Sequence, residues 1–403
     1  MKQQPEGRSD PEWSYSVKAS LDENYEVICR SGILSLGDRT LANVLRRDAS
    51  VLVVSTPSVD RLYGDRLRQY FSAHGSRTAV SFMVLACSET RKSMDSVLAV
   101  CQRAAEAGLA RRSQIVCVGG GVSLDIVGLA ATLFRRGIPQ IRVPTTLIGM
   151  IDAGIGVKNA VNFAASKSLL GTFTAPEACI IDPSFLATLP RQHLQCGLAE
   201  IIKIAVMCSP ELFARLEARA NRLLGDAFGM PLELSEDLIQ LSVQWTLKEL
   251  ELNLFERSEL FQGTYARKLD FGHTFSPYIE MASHHRLLHG EAVAIDMAIC
   301  AELAHSLGIL DETSRTRLLD VLLRVGLPIH CPGMDPGAMY ASLKSIVRHR
   351  DGNLNLALPA GLGRAIFVRD LSEVSAALLD EVWQRLSRLS SRVDAHFDAE
   401  LPN

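Results

Sequence analysis

The spacing of hydrophobic residues along the chain changes near residue 183. Before this point, short continuous apolar runs alternate with segments in which apolar residues recur every three or four positions. The runs are typical of buried parallel strands, and the second spacing predicts amphipathic helices. Strands are predicted at residues 25–33, 50–56, 78–85, 114–118, 140–144 and 178–182, with helices at 60–74, 94–103 and 126–134. A serine before residue 94 suggests a capped helix start. Strands that alternate with helices predict an α/β fold with a doubly wound parallel sheet.

After residue 183 the spacing is almost entirely helical. Helices are predicted at residues 198–207, 210–224, 232–252, 292–307, 311–325, 336–346 and 371–389, with one short hairpin at 354–367. We therefore expect a flexible polar leader at residues 1–24, a sheet domain at 25–182 and a mostly helical domain at 183–403. A cleft between the two domains is the expected place for a binding site.

Composition and charge exclude some classes of protein. The chain has 403 residues, of which 47% are hydrophobic, and a formal net charge of −3. Without a basic cluster, nucleic-acid binding is not expected. The nine cysteines are scattered, with no CxxC pair, which indicates reduced thiols in a cytoplasmic protein. No apolar run approaches the length of a membrane span, so we expect neither a membrane nor a nucleic-acid partner.

Three glycines follow the strand predicted at residues 114–118. Gly119, Gly120 and Gly121 stand at its carboxyl end and precede an apolar helical segment. Backbone amides without side chains can approach a diphosphate, and the N-terminus of the following helix adds partial positive charge. This pattern indicates a nucleotide site. It is not GxGxxG, however, and a tight strand-to-helix turn is the structural alternative.

The segment at residues 152–167 is rich in glycine and alanine and is predicted to be a loop. It contains Lys158 and Lys167, with few acidic residues nearby in the sequence. Lysines in such a setting are candidates for phosphate contacts. The alternative is ordinary solvated lysines.

Three potential metal ligands lie in the helical half of the chain. They are Glu200, His273 and His289. Two imidazoles and one carboxylate leave a fourth position open, which is the arrangement of a catalytic zinc site. The histidines do not have HExxH spacing, and each ligand taken alone is more often a core residue than a ligand.

Six segments, taken together and in order, resemble the sugar phosphate cyclases, the superfamily of dehydroquinate synthase. They are residues 119–125, 143–147, 152–158, 197–203, 271–275 and 288–294. The resemblance implies a Rossmann-like NAD-binding domain, a helical metal-binding domain and a homodimer that acts on a small sugar phosphate. In this superfamily a tightly held NAD oxidises a hydroxyl, phosphate is eliminated, the ketone is reduced again and an enol closes a carbocycle.

The resemblance also assigns roles to individual residues. It implies zinc, with cobalt as the alternative, on Glu200, His273 and His289. The implied NAD contacts are Glu89, Lys92, Gly120, Gly121, Asp125, Thr145, Thr146, Asp152, Lys167 and Thr188. The implied catalytic set is Lys158, Lys203, Lys248, Asp270, His349 and Arg136. In this set, Arg136 would reach the phosphate site of the partner subunit.

Four departures from the dehydroquinate synthases concern the substrate. Those enzymes have an arginine before the first zinc histidine and an asparagine closer to it, where this chain has Ala266 and Asp270. They also have the second histidine of HTxGH and a late lysine, where this chain has Pro277 and His349. The arginine fork suits a carboxylate. Arg267 and Lys268 could compensate for its loss, although on a helix a shift of one residue turns a side chain by about 100°.

The departures favour a hydroxylated substrate without a carboxylate. The pattern is similar to the 2-epi-5-epi-valiolone synthases, which cyclise sedoheptulose 7-phosphate. A 2-epi-valiolone synthase and a desmethyl-4-deoxygadusol synthase are alternatives within the superfamily. More remote alternatives are a dehydroquinate synthase and a metal-dependent polyol dehydrogenase, which would release reduced NAD.

Overall fold

The computed structural model describes seven stretches of the chain. They are residues 24–74, 79–164, 166–223, 232–251, 267–284, 286–349 and 352–399. Nearly all of the predicted leader, and Ala266, lie outside these stretches.

A six-stranded parallel sheet forms the centre of the first half of the chain. Its strands are β1 (Glu26–Cys29), β2 (Val51–Ser55), β3 (Val80–Val84), β4 (Gln114–Gly119), β5 (Gln140–Pro144) and β8 (Ala178–Ile181), in the order β1-β8-β5-β4-β2-β3. Every residue of β2, β4, β5 and β8 is buried, whereas the edge strands β1 and β3 are partly exposed. A strand that is covered on both faces has a continuous run of apolar residues in its sequence. The predicted fold class is confirmed.

Helices cover both faces of this sheet. They are α1 (Thr40–Val44), α2 (Pro57–His74), α3 (Met94–Glu106) and α4 (Gly121–Leu133). Successive side chains of a strand point to opposite faces, so Val51 and Val53 join one apolar cluster while Leu52 and Val54 join the other. The larger cluster continues into the helices that follow residue 182. The proposed division into domains at that residue stays a prediction.

The second half of the chain is mostly helical, as predicted. Its elements are α5 (Arg191–Cys208), α6 (Pro210–Arg219), α7 (Leu232–Glu251), α8 (Ser276–Ala282), α9 (His289–Ser306), α10 (Glu312–Arg324), α11 (Pro336–His349), α12 (Ala376–Ala399) and an antiparallel hairpin of β9 (Leu356–Pro359) and β10 (Ala365–Val368). The sequence did not predict α8 as a separate helix. Helix α9 packs against α5, α8, α10 and α12 and is buried over most of its length. Among the described helices, none has both the length and the apolar character needed to cross a membrane.

The prediction of a loop at residues 152–167 is wrong. A π-helical turn (Gly149–Ala153) is followed by β6 (Lys158–Phe163) and β7 (Ser166–Phe173), which pair as an antiparallel hairpin. Strand β7 is exposed along nearly all its length, so it lacks the apolar alternation that marks a strand in sequence. Strand β6 anchors the hairpin, because Asn159 and Val161 are buried and β6 packs against α4.

The glycine cluster also differs in detail from its prediction. Strand β4 ends at Gly119, Gly120 is extended, and α4 already begins at Gly121 rather than at residue 126. Glycine has a low helix propensity, which hid this first turn. The serine at the start of α3, Ser93, occupies the N-cap position but makes no capping hydrogen bond with its side chain.

The glycine cluster lies where the sheet reverses its winding. From β2 the chain moves outward to β3, and it then returns to the opposite side of β2 to form β4 and β5. In open α/β sheets, ligands bind outside the carboxyl ends of the strands at such a switch point. The fold therefore places the predicted nucleotide loop where a nucleotide would bind.

Close packing of α9 on α5 gives a test of the fold. A methyl group at Gly290, the second residue of α9, would lie 2.6 Å from the carbonyl oxygen of Cys196 on α5. We expect Gly290→Ala to force the helices apart and to lower the free energy of unfolding by about 1–3 kcal/mol, measured by denaturant titration. Gly37→Ala is the control, because nothing lies within 4 Å of the added methyl group. Equal stability of the two variants would contradict this packing.

Candidate functional site

A cavity of about 690 Å³ lies between the carboxyl edge of the sheet and the helical half. Its lining includes Asp125, Asp152 and Lys158 from the first half of the chain and Lys203, Glu249, Arg267, Lys268, Asp270 and His273 from the second. Both halves thus contribute charged side chains to one space. The cleft expected between them is present.

Three side chains at one end of this cavity form a potential metal site. Glu200 comes from α5, His273 from the turn before α8, and His289 is the first residue of α9. One ligand atom from each lies within 4.8 Å of the other two. The Nε2 atoms of His289 and His273 lie 3.3 and 3.8 Å from Oε1 of Glu200. The donor set of two imidazoles and one fully buried carboxylate fits zinc.

Hydrogen bonds fix the orientation of both imidazole rings. Nδ1–H of His289 donates to Oε1 of Glu280 at 2.9 Å, and Nδ1–H of His273 donates to the carbonyl oxygen of Phe271 at 3.2 Å. These bonds turn both Nε2 atoms toward Glu200. Donation of the other ring N–H to a carboxylate or carbonyl is the usual support for a metal-binding histidine.

The protonation states of the two histidines differ. Burial would lower the pKa of His289, but hydrogen bonds and charge from Glu200 and Glu280 raise it to about 9. Burial and the nearby charge of Lys203 lower the pKa of His273 to about 4. A metal ion that binds near neutral pH must therefore displace a proton from His289.

Lys203 forms an ion pair with the second oxygen of the Glu200 carboxylate. Its Nζ lies 2.5 Å from Oε2 of Glu200 and 3.9 Å from Asp152. Although Lys203 is buried, these two carboxylates raise its pKa, so it stays charged. Oε1 of Glu200 faces the histidines while Oε2 is neutralised by Lys203. A metal ion on Oε1 would therefore give the cavity an excess of positive charge, which suits an anionic substrate.

The structure brings many of the predicted residues to this edge of the sheet. Asp125, Asp152, Lys158, Lys203, Asp270 and His273 line the cavity. Gly120, Gly121, Thr145 and Thr146 lie at the carboxyl ends of β4 and β5, where the Thr145 N–H donates to Gly119 at 2.9 Å. Lys92 pairs with Asp125 at 2.5 Å, and Glu89 accepts a hydrogen bond from Asn162 at 3.0 Å.

Three other predicted residues do not line the cavity either. Lys248 is exposed and its Nζ lies 4.5 Å from the centre of the Trp245 ring. Arg136 is exposed beyond the end of α4. Thr188 shares a hydrogen bond of 2.8 Å with the Tyr63 hydroxyl. His349 ends α11, and its side chain lies outside what the structure describes.

The expectation that Lys167 has few acidic neighbours is wrong. Its ammonium group contacts the carboxylate of Glu280 and lies 3.9 Å from Glu89. Glu280 is 113 residues away along the chain. Local sequence could not reveal this neighbour.

Both basic residues beside Asp270 are also paired. Arg267 lies 3.0 Å from Asp270, and Lys268 lies 2.7 Å from Glu249. The assumption that this segment is a helix with a defined facing is wrong, because Arg267 is extended and precedes a single 3₁₀ turn (Lys268–Asp270). Pairing with carboxylates weakens either cation as a substitute for the missing arginine.

Sequence reasoning missed two residues that hold the site in place. Arg142 is fully buried in β5 and donates to the carbonyls of Ala153, Gly154 and Gly156, and to Asn159 at 2.7 Å. It thereby anchors the turn between Asp152 and Lys158. An arginine inside an apolar strand was a signal that could have found it.

Asp296 of α9 is the second such residue. Its carboxylate accepts from the backbone N–H groups of Phe275 at 2.6 Å and Ser276 at 2.8 Å, next to His273. Burial raises the pKa of Asp296 to about 6, although these hydrogen bonds oppose the shift. One helix thus carries His289 and also anchors the turn that carries His273. An aspartate within an apolar helical run was the available signal.

The comparisons with known proteins agree on one family. Models of the 3-dehydroquinate synthase N-terminal and C-terminal parts match residues 82–196 and 197–346. The chain is 40% identical to a 2-epi-5-epi-valiolone synthase of Streptomyces albus over 92% of this chain and 90% of the relative. It is 41% identical to another from Streptomyces hygroscopicus subsp. jinggangensis, over 91% and 89%.

A solved structure agrees with these relatives. ValA, the 2-epi-5-epi-valiolone synthase from Streptomyces hygroscopicus subsp. jinggangensis 5008 with NAD⁺ and Zn²⁺ bound, matches with a TM-score of 0.85 and 40% identity, over 93% of this chain and 99% of that one. The fold and site define an α/β enzyme with a metal-type ligand set in its central cleft. The chain belongs to the 3-dehydroquinate synthase family and is a sugar phosphate cyclase.

Glu280 provides a test of the metal site. Glu280→Gln keeps the size of the side chain but removes the charge that supports His289. We expect zinc affinity to fall about 10- to 100-fold, as is typical when the outer partner of a metal ligand is lost. Competition with a chelator measures this affinity. Glu381→Gln on the exposed face of α12 is the control, and equal affinity of the two variants would show that Glu280 does not support the metal.

Proposed function

We propose that the protein is a 2-epi-5-epi-valiolone synthase that uses NAD and zinc to convert sedoheptulose 7-phosphate to 2-epi-5-epi-valiolone and inorganic phosphate. The proposed sequence is transient oxidation, phosphate elimination, reduction and intramolecular aldol closure, which makes the enzyme a carbon–oxygen lyase. The observation that carries the proposal is one cavity lined by His273, Lys203 and Lys158. The rest of the metal-type set, Glu200 and His289, lies beside it, and Arg267 is paired. Similarity to named synthases over most of the chain supports it.

The geometry supports a proposal for the residues that would hold the two cofactors. Zinc would bind Oε1 of Glu200 and the Nε2 atoms of His273 and His289. The diphosphate of NAD would lie against the amides of Gly120 and Gly121, where α4 begins. When bound, NAD supplies reversible hydride transfer and zinc polarises the vicinal hydroxyls of the sugar.

Charge in the cavity selects the class of substrate. Lys203 and Lys158 are cations in its lining and would contact the phosphate. Asp270 would accept a hydrogen bond from a sugar hydroxyl and repel a carboxylate, while it holds Arg267 at 3.0 Å. This favours a polyhydroxylated sugar phosphate without a carboxylate over the carboxylated precursor of dehydroquinate.

The roles that we propose for Arg136 and His349 do not rest on the lining of this cavity. Arg136 is exposed and does not line the cavity of its own chain, so we assign it to the phosphate site of the partner subunit in a homodimer. His349 remains the candidate for a phosphate contact or a proton transfer, because imidazole titrates near neutral pH. The homodimer and a cytoplasmic location stay predictions.

Substrate tests separate this function from its alternatives. With NAD and zinc, we expect phosphate release from sedoheptulose 7-phosphate and a product whose NMR spectrum is that of 2-epi-5-epi-valiolone. Release only from the carboxylated seven-carbon sugar phosphate would make the enzyme a dehydroquinate synthase. A different product spectrum would indicate one of the other cyclitol synthases. Sustained accumulation of reduced NAD with a polyol would indicate a dehydrogenase.

Asp270 provides a test of substrate choice. Asp270→Asn removes the charge that would position a hydroxyl and that holds Arg267. We expect kcat/KM for sedoheptulose 7-phosphate to fall about 10- to 100-fold, as for the loss of one charged hydrogen bond, with little change in Tm. We also expect the released Arg267 to strengthen inhibition by the carboxylated sugar phosphate.

Two further variants control this experiment. Asp320→Asn breaks an aspartate–arginine pair of 3.2 Å on the surface of α10 and should leave kcat/KM unchanged. Asp270→Asn combined with Arg267→Gln should lose the added inhibition. Wild-type kcat/KM in Asp270→Asn would remove this residue from substrate binding.

A further inference from the structure

Lys167 lies between two carboxylates that belong to different parts of the site. On one side its ammonium group contacts Oε2 of Glu280, which is on α8 in the helical half. On the other side it lies 3.9 Å from Oε1 of Glu89, which follows β3 in the sheet half. Strand β7 therefore places one cation between the two halves of the chain.

The Glu280 carboxylate links Lys167 to the metal-type ligand set. The Glu280 side chain is 6% exposed. One of its oxygens accepts from Nδ1 of His289 at 2.9 Å, and the other contacts Lys167. A buried carboxylate needs both of its oxygens satisfied to keep one orientation. Lys167 is therefore placed to fix the carboxylate that fixes the His289 ring.

Asn162 links the same hairpin to the edge of the sheet. Its amide Nδ2–H donates to the side chain of Glu89 at 3.0 Å and to the Glu89 carbonyl at 3.2 Å. Its backbone N–H donates to the carbonyl of Lys92 at 2.8 Å, and Lys92 pairs with Asp125 at 2.5 Å. The hairpin is thus bonded to the segment that borders the predicted nucleotide site.

We infer that Lys167 is a positioning residue that couples the nucleotide site to the metal site. A series of alternating charges runs from Glu89 through Lys167 and Glu280 to His289. A nucleotide that orders Glu89 and the hairpin restrains Lys167, which in turn restrains Glu280 and the imidazole. NAD therefore raises zinc affinity, and by linkage zinc raises NAD affinity by the same factor.

This role differs from a direct contact of Lys167 with NAD, because it changes metal affinity when no nucleotide is present. The inference rests on the proposed function only for the identity of the two ligands, zinc and NAD. The effect on the metal can be measured without substrate and without turnover.

Lys167→Met tests the inference by removing the charge while keeping an extended side chain. Zinc affinity is measured by chelator competition with and without NAD. We expect the Kd for zinc to rise about ten-fold without NAD, at the lower end of the range for outer partners of a ligand. In the wild type we expect NAD to tighten zinc binding about five-fold or more, and in Lys167→Met this factor falls toward one.

A spectrum separates this positioning role from a general loss of stability. Cobalt replaces zinc, and the visible absorption of Co²⁺ reports the geometry of its ligands. We expect a changed spectrum in Lys167→Met, a wild-type spectrum in Lys167→Arg, and cooperative unfolding well above the assay temperature for all metal-free proteins. Lys344→Met removes an exposed lysine from α11 and is the control for loss of charge.

The outcomes keep the inference separate from the proposed function. The inference is overturned if Lys167→Met equals Lys344→Met in zinc affinity, in the effect of NAD on that affinity and in the cobalt spectrum. That result would leave the proposed function intact. Wild-type protein that binds neither zinc nor NAD would overturn both.

Discussion

The Glu200 carboxylate has no contact with solvent, and the site is built around the need to compensate its charge. An isolated buried carboxylate is strongly destabilising, and pairing offsets this cost only with good geometry. Lys203 forms an ion pair with one oxygen and the two histidines face the other. Because of these partners, the pKa of Glu200 is well below its usual value despite its burial. The partners that compensate this buried charge also create a place for a divalent cation.

Helix α9 fixes the relative positions of the three potential metal ligands. Its first residue is His289, Gly290 allows it to approach α5 closely, and Asp296 holds the turn that carries His273. The three ligands come from separate segments, so their mutual distances depend on how α5 and α9 pack. A change in the packing of these two helices would therefore alter the distances among the three ligands.

Two paired cations, one buried and one partly exposed, organise the β6–β7 hairpin beside the cavity in a similar way. Arg142 lies inside β5 and satisfies several carbonyl groups of the turn that follows the π-helical segment. Lys167 lies between carboxylates of the two halves. In each case one long side chain contacts several backbone carbonyls or carboxylates that no hydrogen bond within a strand or helix would hold together. The β6–β7 hairpin is therefore part of the site and is more than a connection between strands.

The sequence by itself determined the α/β class, the parallel strands, the helical second half and the ligand types, because each of these depends on residue spacing or on residue chemistry. It did not reveal the β6–β7 hairpin, since β7 is stabilised by pairing with β6 and not by a buried face of its own. Nor did it reveal that Lys167 meets Glu280, or that Lys248 lies over Trp245 outside the cavity. Only the tertiary structure decided which charges are paired, because electrostatic interactions depend on distance in space, and these partners are brought together only by the fold.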